Sequence, residues 1–280
     1  MVAQPNEEEL SLLTSLERTS FQLGDFVNRR LPKVAQRWNA AFMGATIWTC
    51  GGNRLRVHGL ERIAHLTKED RLLVVANHRS YFDFFVVSAV IFWRTQLSRR
   101  ILFPVRSTFF YDHPLGPLVN ASMSAMAMFP PILRDRDRAA WNQYSLQRCV
   151  DELSIPGTVL GFHPEGTRNK GDDPYALLSA KPGVGRVALE MKAGAHVIPF
   201  FVLGMANDLA RETRYNWLAP DQHPIDVVIG APLDLSDLRA AGSHPHTHRA
   251  AAERCLAAIR ALADEQRAIS SRRSSGSSTA

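Results

Sequence analysis

A histidine five residues before an aspartate is the pair best suited to acid–base chemistry in this sequence. His78 and Asp83 lie in the segment 77–83 (NHRSYFD), between an apolar run at 72–76 that predicts a buried strand and one at 84–93 that predicts a buried helix. In one regular helix, residues five apart point about 140° away from each other, so the side chains can meet only if His78 ends the strand and Asp83 begins the helix. A carboxylate on one ring nitrogen would then fix the tautomer and leave the other nitrogen free to accept a proton from a hydroxyl.

Two other interpretations of this segment stay open from the residues alone. Ser80 and Asp83 match the S-x-x-[DE] pattern of a helix capping box, so the carboxylate could serve the helix and not the imidazole. A single histidine at a strand end is also commonly structural. The pair therefore needs a second polar group before it indicates catalysis.

A second block of polar residues, 163–169 (HPEGTRN), follows another predicted strand. Gly166 would allow close backbone approach, Thr167 offers a hydroxyl and an amide, and Arg168 can grip a phosphate with two donors. Glu165 could accept hydrogen bonds from a substrate hydroxyl or hold Arg168 in place. Taken alone, this block is also compatible with an ordinary turn.

Together, the two blocks resemble the glycerolipid acyltransferase family, which comprises 1-acylglycerol-3-phosphate and glycerol-3-phosphate acyltransferases. Two further blocks fit: 128–134 (MFPPILR) resembles the family's middle block, which ends in a phosphate-contacting arginine, and 197–200 (VIPF) resembles its apolar strand near the acyl site. The resemblance covers about residues 55–232. The sequence departs from the family by having His163 in place of the usual Phe and Asn169 in place of the usual Ser; His163 either fills the same slot or adds a titratable group.

The resemblance implies an O-acyltransferase of phospholipid biosynthesis that moves a fatty acyl group from an acyl thioester to a hydroxyl of a glycerol-phosphate-type acceptor. The expected acceptor is 1-acylglycerol-3-phosphate, and the expected co-substrate is acyl-CoA or acyl carrier protein, with no bound cofactor and no metal. His78 and Asp83 are the expected catalytic residues. The expected substrate-binding residues are Arg134, Arg136, Glu165, Gly166, Thr167 and Arg168, and the expected acyl-site residue is Pro199.

Other functions remain as alternatives. The same scaffold could act on a different lipid or alcohol, or could be a non-catalytic peripheral lipid-binding protein. A nucleic-acid partner is not expected, because the basic residues scatter over several predicted elements and no binding motif occurs. The histidine tract at 244–248 (HPHTH) lacks a supporting carboxylate pattern and is typical of the start of a helix, not of a metal site.

Composition indicates a globular chain with an anionic partner. The 280 residues are 45% hydrophobic, with a formal net charge of +6 and a pI near 9.5, which suits a membrane surface or a phosphorylated substrate. The acidic N-terminus does not resemble a signal peptide, and no uncharged apolar stretch approaches the roughly 18 residues of a membrane span. Three widely spaced cysteines form no CxxC pair. We therefore expect a cytoplasmic protein, peripheral on the inner face of the membrane.

The pattern of apolar residues predicts an α/β fold with a mainly parallel mixed sheet covered by helices and an N-terminal two-helix amphipathic segment. The expected regions are 1–53 (amphipathic helices for a membrane interface or for packing), 54–235 (the α/β acyltransferase domain), 236–269 (a helical region) and 270–280 (a disordered tail). The candidate strands are 54–57, 72–76, 101–105, 125–129, 158–162, 196–203 and 226–230.

Overall fold

The computed structural model of the protein describes residues 2–276, except for the side chains of residues 136 and 274–276. The helices are α1 (Glu7–Ser11), α2 (Ser15–Arg30), α3 (Pro32–Gly51), α4 (Asp83–Arg94), α5 (Gly116–Ser124), α6 (Ala139–Glu152), α7 (Pro182–Glu190), α8 (Leu209–Leu218), α9 (Ser236–Ala240) and α10 (Pro245–Gly276). The strands are β1 (Leu55–His58), β2 (Arg71–Ala76), β3 (Arg100–Leu102), β4 (Val105–Arg106), β5 (Pro131–Ile132), β6 (Thr158–Phe162), β7 (Ala195–Leu203) and β8 (Ile225–Ile229).

The main sheet has the order β1-β8-β7-β2-β6-β3, and its strands pair in parallel except for the antiparallel pair β7–β8. Helices cover the sheet, so the predicted fold class is confirmed. The central strand β2 is apolar and buried from Leu72 onward, as expected for a strand covered on both faces. Because β2 and β6 are parallel neighbours, with Val75 opposite Phe162, the residues that follow each strand emerge at the same edge of the sheet.

Helix α4, which follows β2, is buried from Asp83 through Phe92. Its Phe84 ring lies against Gly161 of β6, where a Cβ atom would stand 2.2 Å from the ring. A glycine at this position therefore lets α4 pack this close to the sheet, and the start of α4 is held beside the end of β6.

The N-terminal segment was predicted as two helices and contains α2 and α3, preceded by the one-turn helix α1. Thr14 caps α2 and separates it from α1. Helix α2 packs on the α/β domain through an aromatic cluster in which Phe21 contacts Phe129 and Trp141. Ion pairs from α2 also reach the domain, with Asp25 2.7 Å from the guanidinium of Arg148. Packing is thus one role of this segment.

Three predictions about secondary structure need correction. The strand predicted at 101–105 is divided into β3 and β4, which belong to different sheets. Residues 125–129, predicted as a strand, instead form the turn after α5, because Ala125 and Met126 have positive φ angles of 44° and 63° that no strand accommodates. Helix α10 packs on α7 and the sheet and continues through residues 270–276 of the predicted disordered tail, while 277–280 lie outside the described residues.

Within the described residues, no helix is long and apolar enough to cross a bilayer.

Candidate active site

The predicted meeting of His78 and Asp83 is present in the structure. His78 follows the end of β2, Asp83 is the first residue of α4, and the His78 Nδ1 atom lies 3.0 Å from the Asp83 Oδ2 atom. The change from strand to helix between them turns the chain, so residues that would diverge on one helix converge here. The His78 side chain is 20% exposed and the Asp83 side chain 2% exposed, so only the imidazole is open to a substrate.

The Asp83 carboxylate is fixed from more than one side. Its Oδ2 atom also accepts hydrogen bonds from the backbone N–H groups of Arg79 (2.7 Å) and Ser80 (2.9 Å). The alternative of a capping box is met only in part: Asp83 accepts from the Ser80 N–H, but the Ser80 hydroxyl accepts from the Phe82 N–H and not from Asp83. Asp83 therefore orients the imidazole, and the N-terminus of α4 favours its negative charge.

Glu165 joins the two sequence blocks. Its Oε1 atom accepts a hydrogen bond from the backbone N–H of His78 (2.9 Å), and its Oε2 atom accepts one from the Leu178 N–H (2.7 Å). The Asn169 N–H donates to the His78 carbonyl at 2.8 Å, so the second block holds the backbone of the first from both sides. Glu165 is 1% exposed, so it is not open to a substrate hydroxyl and does not pair with Arg168. It is a positioning residue, which corrects the expected substrate contact.

The His163 ring packs beside the His78–Asp83 pair. Its ring stacks on that of His78 with centroids 3.8 Å apart and planes 6° from parallel, and the Phe84 ring lies 4.3 Å away. Its Nδ1 atom lies 2.9 Å from the Ala76 carbonyl oxygen, which can only accept, so Nδ1 carries the proton. His163 is therefore packed as an aromatic ring, and its hydrogen bond to Ala76 fixes the plane of that ring.

Among the described residues, His78, Asp83 and His163 form a group of potential metal ligands whose ligand atoms lie within 4.8 Å of one another. The two imidazole planes are nearly parallel, so an ion in the plane of one ring would stand out of the plane of the other, where no nitrogen lone pair points. This arrangement favours proton transfer over metal coordination.

Burial sets the protonation states of the site. It lowers the pKa of His78 to about 4, and the positive charge of Arg168 adds to this shift. It raises the pKa of Asp83 to about 6 and lowers the pKa of His163 to about 3. At pH 7.5 the imidazole of His78 is therefore neutral beside an ionised Asp83. The Nδ1–H group donates to the carboxylate, and Nε2 keeps the lone pair that a general base needs.

Arg168 is the residue at this site best suited to bind an anion. Its guanidinium lies over the Tyr81 ring, 3.6 Å from the centroid, and makes no hydrogen bond or ion pair with any described residue. Gly166 has a φ of 63°, a conformation that glycine adopts without strain, and Thr167 is half-buried with no hydrogen-bond partner for its hydroxyl in the described part of the chain. These three predicted residues adjoin His78 and present groups that a phosphate could engage.

The remaining predicted site residues are not brought to the pair by any contact that the structure describes. Arg134 is exposed after β5, which pairs with β4 and not with the main sheet, and the side chain of Arg136 lies outside the described residues. Pro199 is buried in β7 as the neighbour of Val75, one strand away from the 77–83 block. The roles expected for these three residues stay predictions.

The loop 170–178 is a part of the site that sequence reasoning missed. Arg79 donates from its guanidinium to the carbonyls of Gly171 (2.7 Å) and Asp173 (3.0 Å), and Asn169 donates to the Ala176 carbonyl (2.7 Å). The accepting groups are backbone carbonyls, which any residue supplies, so the only sequence signal for these contacts was Arg79 beside His78. The three hydrogen bonds hold loop 170–178 against the two motif blocks.

Comparison with known proteins supports the motif analysis. A family model described as Acyltransferase matches residues 54–203, which is more than half of the chain. A similar solved structure is the 1-acyl-sn-glycerophosphate (LPA) acyltransferase PlsC from Thermotoga maritima, at 18% identity and a TM-score of 0.47, covering 92% of this chain and 94% of that chain. No curated protein matches the sequence. From the family match and the ordered motif blocks, the chain belongs to the Acyltransferase family.

Proposed function

We propose that this acyltransferase moves a fatty acyl group from an acyl thioester to a hydroxyl of a glycerol-phosphate-type acceptor, with 1-acylglycerol-3-phosphate as the leading candidate. The observation that carries the proposal is the neutral His78 imidazole, held by Asp83 at 3.0 Å, beside an Arg168 guanidinium that has no acidic partner among the described residues. A general base next to an open cation suits an acceptor with a hydroxyl and a phosphate.

In the proposed reaction, the acceptor hydroxyl gives its proton to His78 Nε2 while its oxygen bonds to the thioester carbonyl carbon. The carbonyl oxygen becomes the oxyanion of a tetrahedral intermediate. When the intermediate collapses, the C–S bond breaks and the sulfur leaves with the proton that His78 returns. The charge of Asp83 stabilises the imidazolium that exists between these steps. No acyl-enzyme is required, because neither a cysteine nor a G-x-S-x-G serine accompanies the histidine.

The acceptor phosphate would lie on the second block. Arg168, the Thr167 hydroxyl and the backbone around Gly166 would hold it, with Arg134 and Arg136 as further candidate ligands. Stacking on Tyr81 restricts the Arg168 guanidinium to one plane, which favours two-donor binding of phosphate oxygens. The acyl chain would lie along apolar elements near Pro199. The thioester is acyl-CoA or acyl carrier protein.

An exposed apolar ridge on α3 supports attachment to the inner face of the membrane. The exposed residues on this helix recur every three or four positions, and the basic residues Lys33 and Arg37 flank them. We name this surface the α3 ridge; it consists of Leu31, Val34, Trp38, Ala41, Ala45 and Trp48. A soluble helix would normally bury such a stripe, whereas a helix lying in a bilayer interface exposes it to lipid.

Product analysis with a matrix of substrates tests the proposed function. Purified protein is incubated with acyl-CoA or acylated carrier protein against lysophosphatidate, glycerol 3-phosphate, lysophosphatidylcholine and a long-chain alcohol, and products are identified by mass spectrometry. We expect esterification of an acceptor that carries a phosphomonoester. Esterification of the alcohol alone would refute the phosphate-binding assignment, and no product with any pair would favour a non-catalytic lipid-binding protein.

A further inference from the structure

A basic pocket on the outer face of α8 has no part in the chemistry described above. It is lined by Arg211, Arg214, Tyr215, Leu218, Ala219 and His223. The first four lie at spacings of three and four on one face of α8, and the last two follow in the next loop. None of them was a predicted site residue.

The pocket carries positive charge that its surroundings do not neutralise. The guanidinium groups of Arg211 and Arg214 are exposed and make no hydrogen bond with the residues that the structure describes. The Glu212 carboxylate lies 3.9 Å from Arg211, but it is buried and already paired with Arg54 at 2.7 Å. Asp208 caps the N-terminus of α8, and Asp221 in the following loop lies 3.0 Å from Arg56. Because these carboxylates already have partners, Arg211 and Arg214 leave the pocket cationic.

The pocket is rigid because α8 is fixed to α3 beneath it. The Asn216 side chain donates to the carbonyls of Trp48 and Thr49 at 3.1 Å and 3.0 Å. The rings of Tyr215 and His223 stack with centroids 3.6 Å apart and form one wall. A preformed wall and a fixed helix reduce the ordering cost of binding a ligand there.

Exposed apolar side chains border the pocket and connect it with the α3 ridge. Leu218, which lines the pocket, is 74% exposed, and its neighbour Trp217 packs edge-on against Trp48 of the ridge at 5.3 Å. Arginines next to exposed tryptophan and leucine are arranged as lipid interfaces require, with the rings at headgroup depth and the cations at the phosphates.

We propose that the α8 pocket binds the phosphate of an anionic phospholipid headgroup in the membrane that the α3 ridge enters. The proposal rests on the proposed membrane attachment and adds a lipid class to it. Arg211 and Arg214 hold the phosphate oxygens, while Trp217 and Leu218 lie among the upper acyl carbons. Each basic residue at an anionic surface is worth about fivefold in binding, so the pair contributes roughly 30-fold.

Vesicle binding of the full chain tests the pocket. Sedimentation is compared at fixed ionic strength with vesicles of phosphatidylcholine alone and of phosphatidylcholine mixed with phosphatidylglycerol. The double variant Arg211→Gln, Arg214→Gln should lose about 30-fold in affinity for the anionic vesicles and keep the wild-type affinity for the neutral ones. The control is Arg249→Gln, Arg260→Gln, which removes the same charge from exposed positions on α10 and should cost much less.

The outcomes separate the pocket from the attachment on which it depends. Equal losses in the two double variants would overturn the pocket and leave attachment intact, because only net charge would then matter. Wild-type protein that binds neither vesicle would overturn both. The third measurement is the acyl-transfer assay of the Arg211→Gln, Arg214→Gln variant with a detergent-dispersed acceptor. If its KM for acyl-CoA rises above that of the wild type while its vesicle binding is unchanged, the pocket binds the thioester donor and the proposal is overturned.

Discussion

Replacing Asp83 with asparagine should lower kcat by about 10²- to 10⁴-fold. In the resting site His78 is neutral, so its attraction to the carboxylate at 3.0 Å arises as the imidazolium forms. At an effective dielectric constant of about 20, a unit charge pair at this distance is worth about 5.5 kcal/mol, which corresponds to about 10⁴-fold in rate. The asparagine oxygen can still accept hydrogen bonds and orient the ring, which sets the lower limit.

The same substitution should not destabilise the fold. Burial raises the pKa of Asp83 from 3.8 to about 6, so keeping the carboxylate ionised at pH 7.5 costs about 3 kcal/mol of stability. This cost builds up as the pH rises from about 4 to about 6 and stays constant at higher pH. Asp83→Asn should therefore unfold at a temperature no lower than that of the wild-type protein at pH 7.5.

Steady-state kinetics and thermal unfolding are measured on the same preparations, with Asp172→Asn as the control because that carboxylate is exposed in the neighbouring loop. The control should match the wild-type protein in both assays. A variant at position 83 with kcat within threefold of wild type would refute the assigned role of the carboxylate. A variant that loses activity only because it unfolds would leave structural capping as the sufficient explanation.

Three further outcomes follow from the geometry of the site. The value of kcat/KM should rise with pH through a pKa near 6, since both His78 and Asp83 must be deprotonated and burial gives Asp83 the higher pKa; a flat profile from pH 5 to 8 would contradict this. Arg168→Ala should raise KM for a phosphorylated acceptor by about 10- to 100-fold, through loss of charge-assisted hydrogen bonds, and should leave KM for the thioester unchanged. If only KM for the thioester rises, Arg168 binds the donor and not the acceptor. Gln266→Ala removes the oxygen of α10 to which the Tyr175 hydroxyl of loop 170–178 donates at 2.7 Å. This variant should lower the free energy of unfolding in denaturant by about 1–3 kcal/mol and raise KM for the acceptor substrate, and Tyr175→Phe should have smaller effects. An unchanged KM in both variants would show that α10 does not support the loop at the site.

The meeting of His78 and Asp83 could be predicted because the strand and helix that carry them are bounded by strong sequence signals. Apolar runs on both sides of 77–83 fix where the strand ends and the helix begins, and that turn alone brings His78 to Asp83. The adjacency of β2 and β6, which joins the two blocks, has no local signal in the sequence and was not predicted.

Positions that depend on backbone partners could not be predicted. Glu165 in a P-E-G turn looks exposed, yet both of its oxygens accept hydrogen bonds from backbone amides, one from His78 after the end of β2 and one from Leu178 in a loop. The strand predicted at 125–129 failed because Ala125 adopts a left-handed conformation to end α5, a choice that its alanine side chain does not signal. The partners of Glu165 are distant in sequence, whereas the backbone N–H of Ala125 bonds to the nearby carbonyls of Asn120 and Ala121.

The base role of His78 is tested most directly by the turnover of His78→Ala with an acyl thioester and a phosphorylated acceptor, on protein whose unfolding temperature shows that it is folded. We predict that kcat falls by about 10²- to 10⁴-fold, because no other group takes up the hydroxyl proton. Turnover at the wild-type rate in this variant would remove His78 from the mechanism.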